Sequence, residues 1–309
     1  MQKIKIIIIV LALIICLSGF YAIRNLMAQN EVETAGIMHT LPLPQHYENV
    51  LVSPPLPAHI NFCGEAVPLH LYWVLESIDR ELINHCYQHS RTLLTLKRST
   101  RFLPAIEQIL KEENVPNDLK YLCIAESNLE NVVSPQKAAG FWQFMEVTAK
   151  HYGLEVNEQI DERYHLEKAT RAACKHLKKL NAQFGSWALA AAAYNMGESG
   201  LERNMKDQQV DNYWNLLLNH ETSRYLSRCI AYKLIFENQE LYNIRIAPEE
   251  FYKPIEYKEV IISKSIEDIR KYCTENHILY RQLKELNPWL RTNKLSVTAN
   301  KTYSLQIPL

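Results

Sequence analysis

Apolar residues recur at helical spacing through most of this chain. Leu71, Val74, Leu75, Ile78 and Leu82 fall on one face, and Phe102, Ile106, Ile109 and Leu110 fall on another before Pro116 ends the run. Residues 166–180, 188–194 and 222–236 read as further helices. The stretch 69–245 is therefore expected to form one all-α domain. The pattern then changes. Residues 257–262 alternate as a strand, 266–273 and 279–286 read as two short helices, and Asn287-Pro288-Trp289-Leu290 reads as a turn before a closing strand at 303–307. Residues 256–309 are expected to be a small α+β module, which makes the chain mainly α.

The first 68 residues do not fit this scheme. Lys3 and Lys5 flank an almost wholly apolar run over residues 4–23, close to the ~20 residues that span a bilayer. Residues 1–28 are expected to be a membrane anchor or a signal peptide. Either would export the chain, with a cytoplasmic N-terminus favoured by the two lysines. Residues 29–68 carry Pro42, Pro44, Pro54, Pro55, Pro57 and Pro68 and are expected to be a linker.

Composition narrows the function. The formal net charge is zero, so there is no basic field to recruit nucleic acid. Seventeen tyrosines and five tryptophans supply surfaces that suit saccharides. Of seven cysteines, six lie beyond the leading segment, and Cys123, Cys174 and Cys229 read as small buried helix residues rather than a disulfide framework. No Cys/His spacing suggests a metal, and no cofactor is expected.

Candidate chemistry centres on Glu126. It closes the apolar run Tyr121-Leu122-Cys123-Ile124-Ala125 and precedes Ser127-Asn128. A carboxyl group where a buried helix meets a cleft is pushed toward its neutral form, and a neutral acid near pH 7 can protonate a leaving group. Three clusters follow: Ser134-Pro135 with Ala138-Ala139-Gly140-Phe141-Trp142-Gln143-Phe144-Met145, then Ala190 to Ala193 with Tyr194-Asn195-Met196-Gly197, then Glu221-Thr222 with Tyr225 one turn on. Taken singly, each is also an ordinary feature: a turn that starts a helix, a close-packed alanine helix with its cap, a solvated helix face.

In this order, Glu-Ser, Gly-x-x-Gln, Ala-Tyr-Asn-x-Gly and Glu-Thr-x-x-Tyr resemble the family 1 lytic transglycosylases, which have a goose-lysozyme-like helical fold. The lead-in Lys97-Arg98-Ser99, Leu103-Pro104 and Val115-Pro116-Asn117-Asp118-Leu119 resembles the membrane-bound D type in particular. The resemblance implies cleavage of the β-1,4 bond between N-acetylmuramic acid and N-acetylglucosamine in peptidoglycan. The muramyl C6 hydroxyl attacks C1 and leaves a 1,6-anhydro end. Glu126 would act as acid and then as base, with Ser127 helping to orient it. Ser134, Gly140, Gln143, Met145, Tyr194, Asn195 and Glu221 match positions at the substrate cleft. Ser199 stands where the family often has a second glycine, and the segment between Glu126 and Ser134 is one residue shorter than in some relatives.

The strand–helix–helix–strand order at the C-terminus, with Leu286-Asn287-Pro288 and Leu305-Gln306-Ile307-Pro308, resembles a LysM module. The usual Gly-Asp-Thr turn is replaced by Ser263-Lys264-Ser265, so a packing role stands beside glycan binding. The expected partners are peptidoglycan strands and, through the N-terminal segment, a membrane. The chain is expected to be a monomer on the periplasmic side of the cell envelope. A lysozyme-type hydrolase and a non-catalytic wall-binding protein remain as alternatives.

Overall fold

The computed structural model describes residues 52–309. The expected anchor and most of the expected linker lie outside the described residues. Among those described, no helix is long and apolar enough to cross a membrane.

A two-strand hairpin comes first, β1 (Asn61–Phe62) against β2 (Glu65–Ala66). It belongs to the folded body, because Ile60, Phe62 and Val67 sit in the main apolar core. The end of the expected linker is thus packed chain. Glu65 explains part of this. Its carboxylate accepts from the Ser186 hydroxyl at 2.9 Å and from the Trp187 amide at 2.6 Å, at the N-terminus of a later helix where a negative charge is favoured.

Helices α1 (Tyr72–Tyr87) and α2 (His89–Glu112) follow. α1 buries Val74, Ile78, Leu82 and His85 at the expected spacing, and also Glu81. Leu75 from the expected face is instead 37% exposed. After a 3-10 turn, α3 (Lys120–Ser127) runs for two turns with Tyr121, Leu122, Cys123 and Ile124 buried. It stops because Asn128 and Leu129 both take left-handed conformations, at φ 51° and 58°. Then come α4 (Glu146–His151), α5 (Leu166–Phe184), α6 (Trp187–Met196), α7 (Glu198–Gln208) and α8 (His220–Glu237). The Ser186 hydroxyl caps α6 by accepting from the Ala188 and Leu189 amides, and Ala190 to Ala193 are all buried. Asn219 caps α8 in the same way, through the Glu221 and Thr222 amides. α8 packs against α1, α3 and α6, so it forms the spine of the core.

The C-terminal part is the expected α+β unit. β3 (Tyr257–Ile262) pairs antiparallel with β4 (Tyr303–Pro308), and α9 (Ile269–Glu275) and α10 (Tyr280–Leu286) lie between them in sequence. Ile262, Ile269, Leu283, Trp289, Leu290 and Leu305 form its own apolar cluster. The first of its helices starts three residues later than the pattern suggests, capped by Asp268, which accepts from the Arg270 amide.

Candidate active site

Glu126 stands on the last turn of α3, half-buried at the wall of a pocket of about 360 Å³. Ser90, Arg91, Leu94 and Arg98 from α2 face it, with Ser127, Asn128, Glu130 and Val132 beside it. A larger groove of about 490 Å³ lies under Trp73 and Trp214 and does not include Glu126.

The Tyr225 hydroxyl on α8 donates to Glu126 Oε1 at 2.6 Å. Tyr225 is almost fully buried, and burial followed by the Glu126 charge holds its phenol far above the ordinary range, so it remains a donor. Burial pushes the Glu126 carboxyl up from 4.5 to about 7. The Tyr225 bond and the Arg228 charge hold it down, and Glu221 pushes it further up. Because Oε1 is occupied by the tyrosine, Oε2 is the oxygen left to carry a proton.

The end of α3 is fixed by several contacts. The Tyr232 hydroxyl donates to Asn128 Oδ1 at 2.7 Å, and His85 stacks on the Tyr232 ring at 4.1 Å between centroids. Arg98 pairs with Glu130. Glu81 was missed by the sequence reading. It is 1% exposed, accepts from Arg224 Nε at 2.6 Å and lies 3.8 Å from Arg228 Nε, so it holds the arginine that faces Glu126. The signal was present: Glu81 occupies an apolar-face position in the series 74, 78, 81, 82, 85.

The other candidates fall into two groups. Ser127 lines the Glu126 pocket, Tyr194 and Glu221 lie within reach of the Glu126 charge, and Asn195 follows Tyr194 at the end of α6. The Ser127 hydroxyl donates back to Cys123 O at 3.1 Å and not to Glu126. Tyr194 donates to Trp142 O at 2.8 Å, and its phenol is raised by burial and by the Glu126 charge. Asn195 Oδ1 accepts from the Thr222 hydroxyl at 2.8 Å, which leaves its amide N–H groups for a ligand. Glu221 is exposed and acts on Glu126 through its charge.

Ser134, Gly140, Gln143 and Met145 lie on the next loop. Ser134 accepts from the Ala138 amide at 3.1 Å and so shapes the turn. Gln143 Nε2 donates to Gly140 O at 2.7 Å and Val132 O at 3.1 Å, so its carbonyl oxygen alone is left for a ligand. Gly140 sits at φ 80°, and a Cβ there would lie 1.9 Å from Arg163 O. Met145 is 47% exposed at the start of α4, and neither it nor Ser134, Gly140 or Gln143 lines the Glu126 pocket. Among the described residues, no group of three or more His, Cys, Asp or Glu side chains gathers as a metal site. The six described cysteines are free.

Comparison with known proteins finds similarity in two segments of the chain. Residues 104–217 match the family described as Transglycosylase SLT domain, and residues 258–309 match the Soluble lytic transglycosylase C-terminal LysM-like domain. Membrane-bound lytic murein transglycosylase D of Escherichia coli, from strain K12 and from an O6:H1 strain, is 31% identical over 179 residues. The aligned part is 56% of this chain and 39% of the relative, so the chain spans about two fifths of the curated relatives it matches. A solved lytic transglycosylase Slt from Pseudomonas aeruginosa overlays with a TM-score of 0.35 at 19% identity, covering 49% of this chain and 26% of that one, too loosely to argue from. Over residues 104–217 the chain is thus similar to a transglycosylase SLT domain, and over residues 258–309 to a LysM-like domain of the soluble lytic transglycosylase type.

Proposed function

We propose that the protein is a peptidoglycan lytic transglycosylase. It would cleave the β-1,4 bond between N-acetylmuramic acid and N-acetylglucosamine and leave 1,6-anhydromuramyl ends. The observation that carries this reading is Glu126, a half-buried carboxyl raised to about 7 and tied to Tyr225 at 2.6 Å. A group that titrates near neutral pH can give a proton and take one back within a single turnover.

In the first step, protonated Oε2 gives its proton to the glycosidic oxygen, and the bond to C1 breaks as positive charge grows on the muramyl ring. Arg228 and the Tyr225 hydroxyl then stabilise the new carboxylate. In the second step, that carboxylate takes the proton of the C6 hydroxyl as its oxygen bonds C1. The Asn195 amide and the Gln143 carbonyl are read as sugar contacts, with Ser134, Gly140 and Met145 shaping the loop that carries Gln143. Glu130, the other carboxylate that lines the Glu126 pocket, is paired with Arg98. That pairing disfavours the two-carboxylate scheme of most glycosidases.

Residues 69–245, extended back through the hairpin, are read as the catalytic part and residues 256–309 as the LysM-like module. The chain is read as a monomer exported to the periplasmic side of the envelope by residues 1–28, in keeping with a curated relative named as membrane-bound. The test is Glu126→Gln, which keeps the Tyr225 bond and removes the titrating group. Cleavage of purified peptidoglycan should fall by at least about 100-fold while the protein still sediments with the wall. Cleavage at the wild-type rate would reject the assignment.

A further inference from the structure

The LysM-like module does more than sit beside the catalytic part. Its Trp289 carbonyl accepts from the Asp161 amide at 2.8 Å, and its Arg291 amide donates to Gln159 O at 2.7 Å. The Ser296 amide donates to Gln159 Oε1 at 3.0 Å, and Lys301 pairs with Glu155 at 2.6 Å. The Arg291 guanidinium covers the Tyr164 ring at 4.2 Å. Ala139, on the loop that carries Gln143, is itself part of the module's apolar cluster, together with Ile160 and Tyr164.

The segment held in this way grips the cleft loop from behind. The Asp161 carboxylate accepts from Arg163 Nε at 2.9 Å and from Nη2 at 2.7 Å, and both side chains are buried. Arg163 Nη1 then donates to Lys137 O at 2.9 Å and to Phe144 O at 3.1 Å, the two ends of the turn that holds Gly140 and Gln143. Arg163 O packs so close to Gly140 that no side chain fits there. Gln143 in turn bonds the carbonyl of Val132, which lines the Glu126 pocket.

We propose that the LysM-like module is a positioning element for the cleft, and that Asp161 and Arg163 are the positioning residues through which it holds the 137–144 turn. Two carbonyls of that turn are satisfied by one guanidinium, and the guanidinium is aimed by a carboxylate whose own backbone is bonded to the module. A module that served only as a tethered glycan anchor would have no need to share apolar core with Ala139 or to bond the residue that aims Arg163. The inference rests on the proposed cleavage reaction for its kinetic consequence, but its structural consequence stands without it.

The test uses the full chain and two variants. Glu155→Ala with Gln159→Ala removes the contacts to Lys301, to the Tyr303 hydroxyl and to the Ser296 amide without replacing a residue of the module's core. Arg163→Lys keeps the charge and loses the fork that spans the turn. Hydrogen exchange is read at the Ser134, Ala139, Gly140 and Phe144 amides, all of which are bonded within the loop. Kinetics are read on stem-free glycan. In both variants these amides should exchange about tenfold faster. In both, kcat should fall about tenfold with KM nearly unchanged, as expected when a contact residue is displaced without loss of binding surface. Exchange in β3 and β4 should stay as in the wild type, which shows the module still folded.

Unchanged loop exchange in the double variant would overturn the proposal, and so would a kinetic loss that falls wholly in KM. Wild-type kcat in Arg163→Lys would also overturn it. A wild-type protein that cleaves nothing would reject the proposed reaction instead, and the exchange result would still decide the coupling.

Discussion

Replacing Glu126 by Gln should stabilise the protein at alkaline pH and leave it unchanged in mild acid. The folded carboxyl sits at about 7 against an ordinary 4.5, so the folded state holds its proton more tightly than the unfolded chain does. A raised folded pKa makes its stabilising contribution below the unfolded value and loses it as pH rises through the folded one. Near pH 4.5 and below, wild type and variant are therefore close to equal. Above about pH 8 the wild type carries a charge that burial penalises by roughly 3 kcal/mol, from about 1.4 kcal/mol for each unit of difference. The Gln carbonyl keeps the Tyr225 hydroxyl satisfied, so no new orphan is created. For a domain of this size, 1 kcal/mol moves Tm by about 2–4 °C, which gives a gain of roughly 6–12 °C. Thermal unfolding by circular dichroism near pH 5 and near pH 8.5 reads it directly. Equal Tm differences at the two pH values, or a variant less stable than wild type in alkali, would refute the argument that burial raises this carboxyl.

Tyr225→Phe removes the bond that holds Glu126 down and should move its titration upward, whereas Glu221→Gln removes a like charge and should move it downward; the carboxyl carbon signal of Glu126 by NMR, or the pH–rate profile, reads both. Gly140→Ala places a methyl 1.9 Å from Arg163 O at a positive φ, so it should destabilise by at least about 2 kcal/mol in denaturant unfolding. His85 is buried, both its ring nitrogens lack a hydrogen-bond partner among the described residues, and burial lowers it to about 4. Its neutral form is stable in the folded state while the unfolded chain protonates, so stability should fall as pH drops from about 6.5 to about 4, by up to roughly 3 kcal/mol. His85→Phe, which keeps the stack on Tyr232, should flatten that part of the pH–stability curve.

Motif order carried the sequence reading furthest. Glu126 and Tyr225 lie 99 residues apart, and their hydrogen bond is the centre of the site. The period-two pattern of residues 257–262 marked a strand with the bounds that the structure has, because one face of it meets an apolar cluster. Polar side chains were harder to place. In the sequence Ser127 looks free to orient Glu126 and Gln143 free to meet a sugar, yet the hydroxyl bonds the carbonyl one turn back and the amide bonds two loop carbonyls. Local backbone satisfies such groups first, and spacing does not reveal it. Glu81 was legible as a charge on an apolar stripe, but two of its arginine partners, Arg224 and Arg228, come from α8, more than 140 residues away. The hairpin at residues 61–66 was hidden by surrounding prolines, which argue against a helix and say nothing against packed chain. The docking of the C-terminal module rests in part on backbone bonds at Gln159, Asp161, Trp289 and Arg291, and backbone bonds leave no mark in residue type.

The central claim is that one carboxyl, Glu126, serves as acid and then base while the C6 hydroxyl takes the place of water. Mass spectrometry of the muropeptides released from purified peptidoglycan tests it most directly. The account predicts 1,6-anhydromuramyl ends, lighter by one water than reducing ends, released by the wild type and not by Glu126→Gln. Reducing ends from the wild type would contradict it and make the protein a hydrolase on the same scaffold.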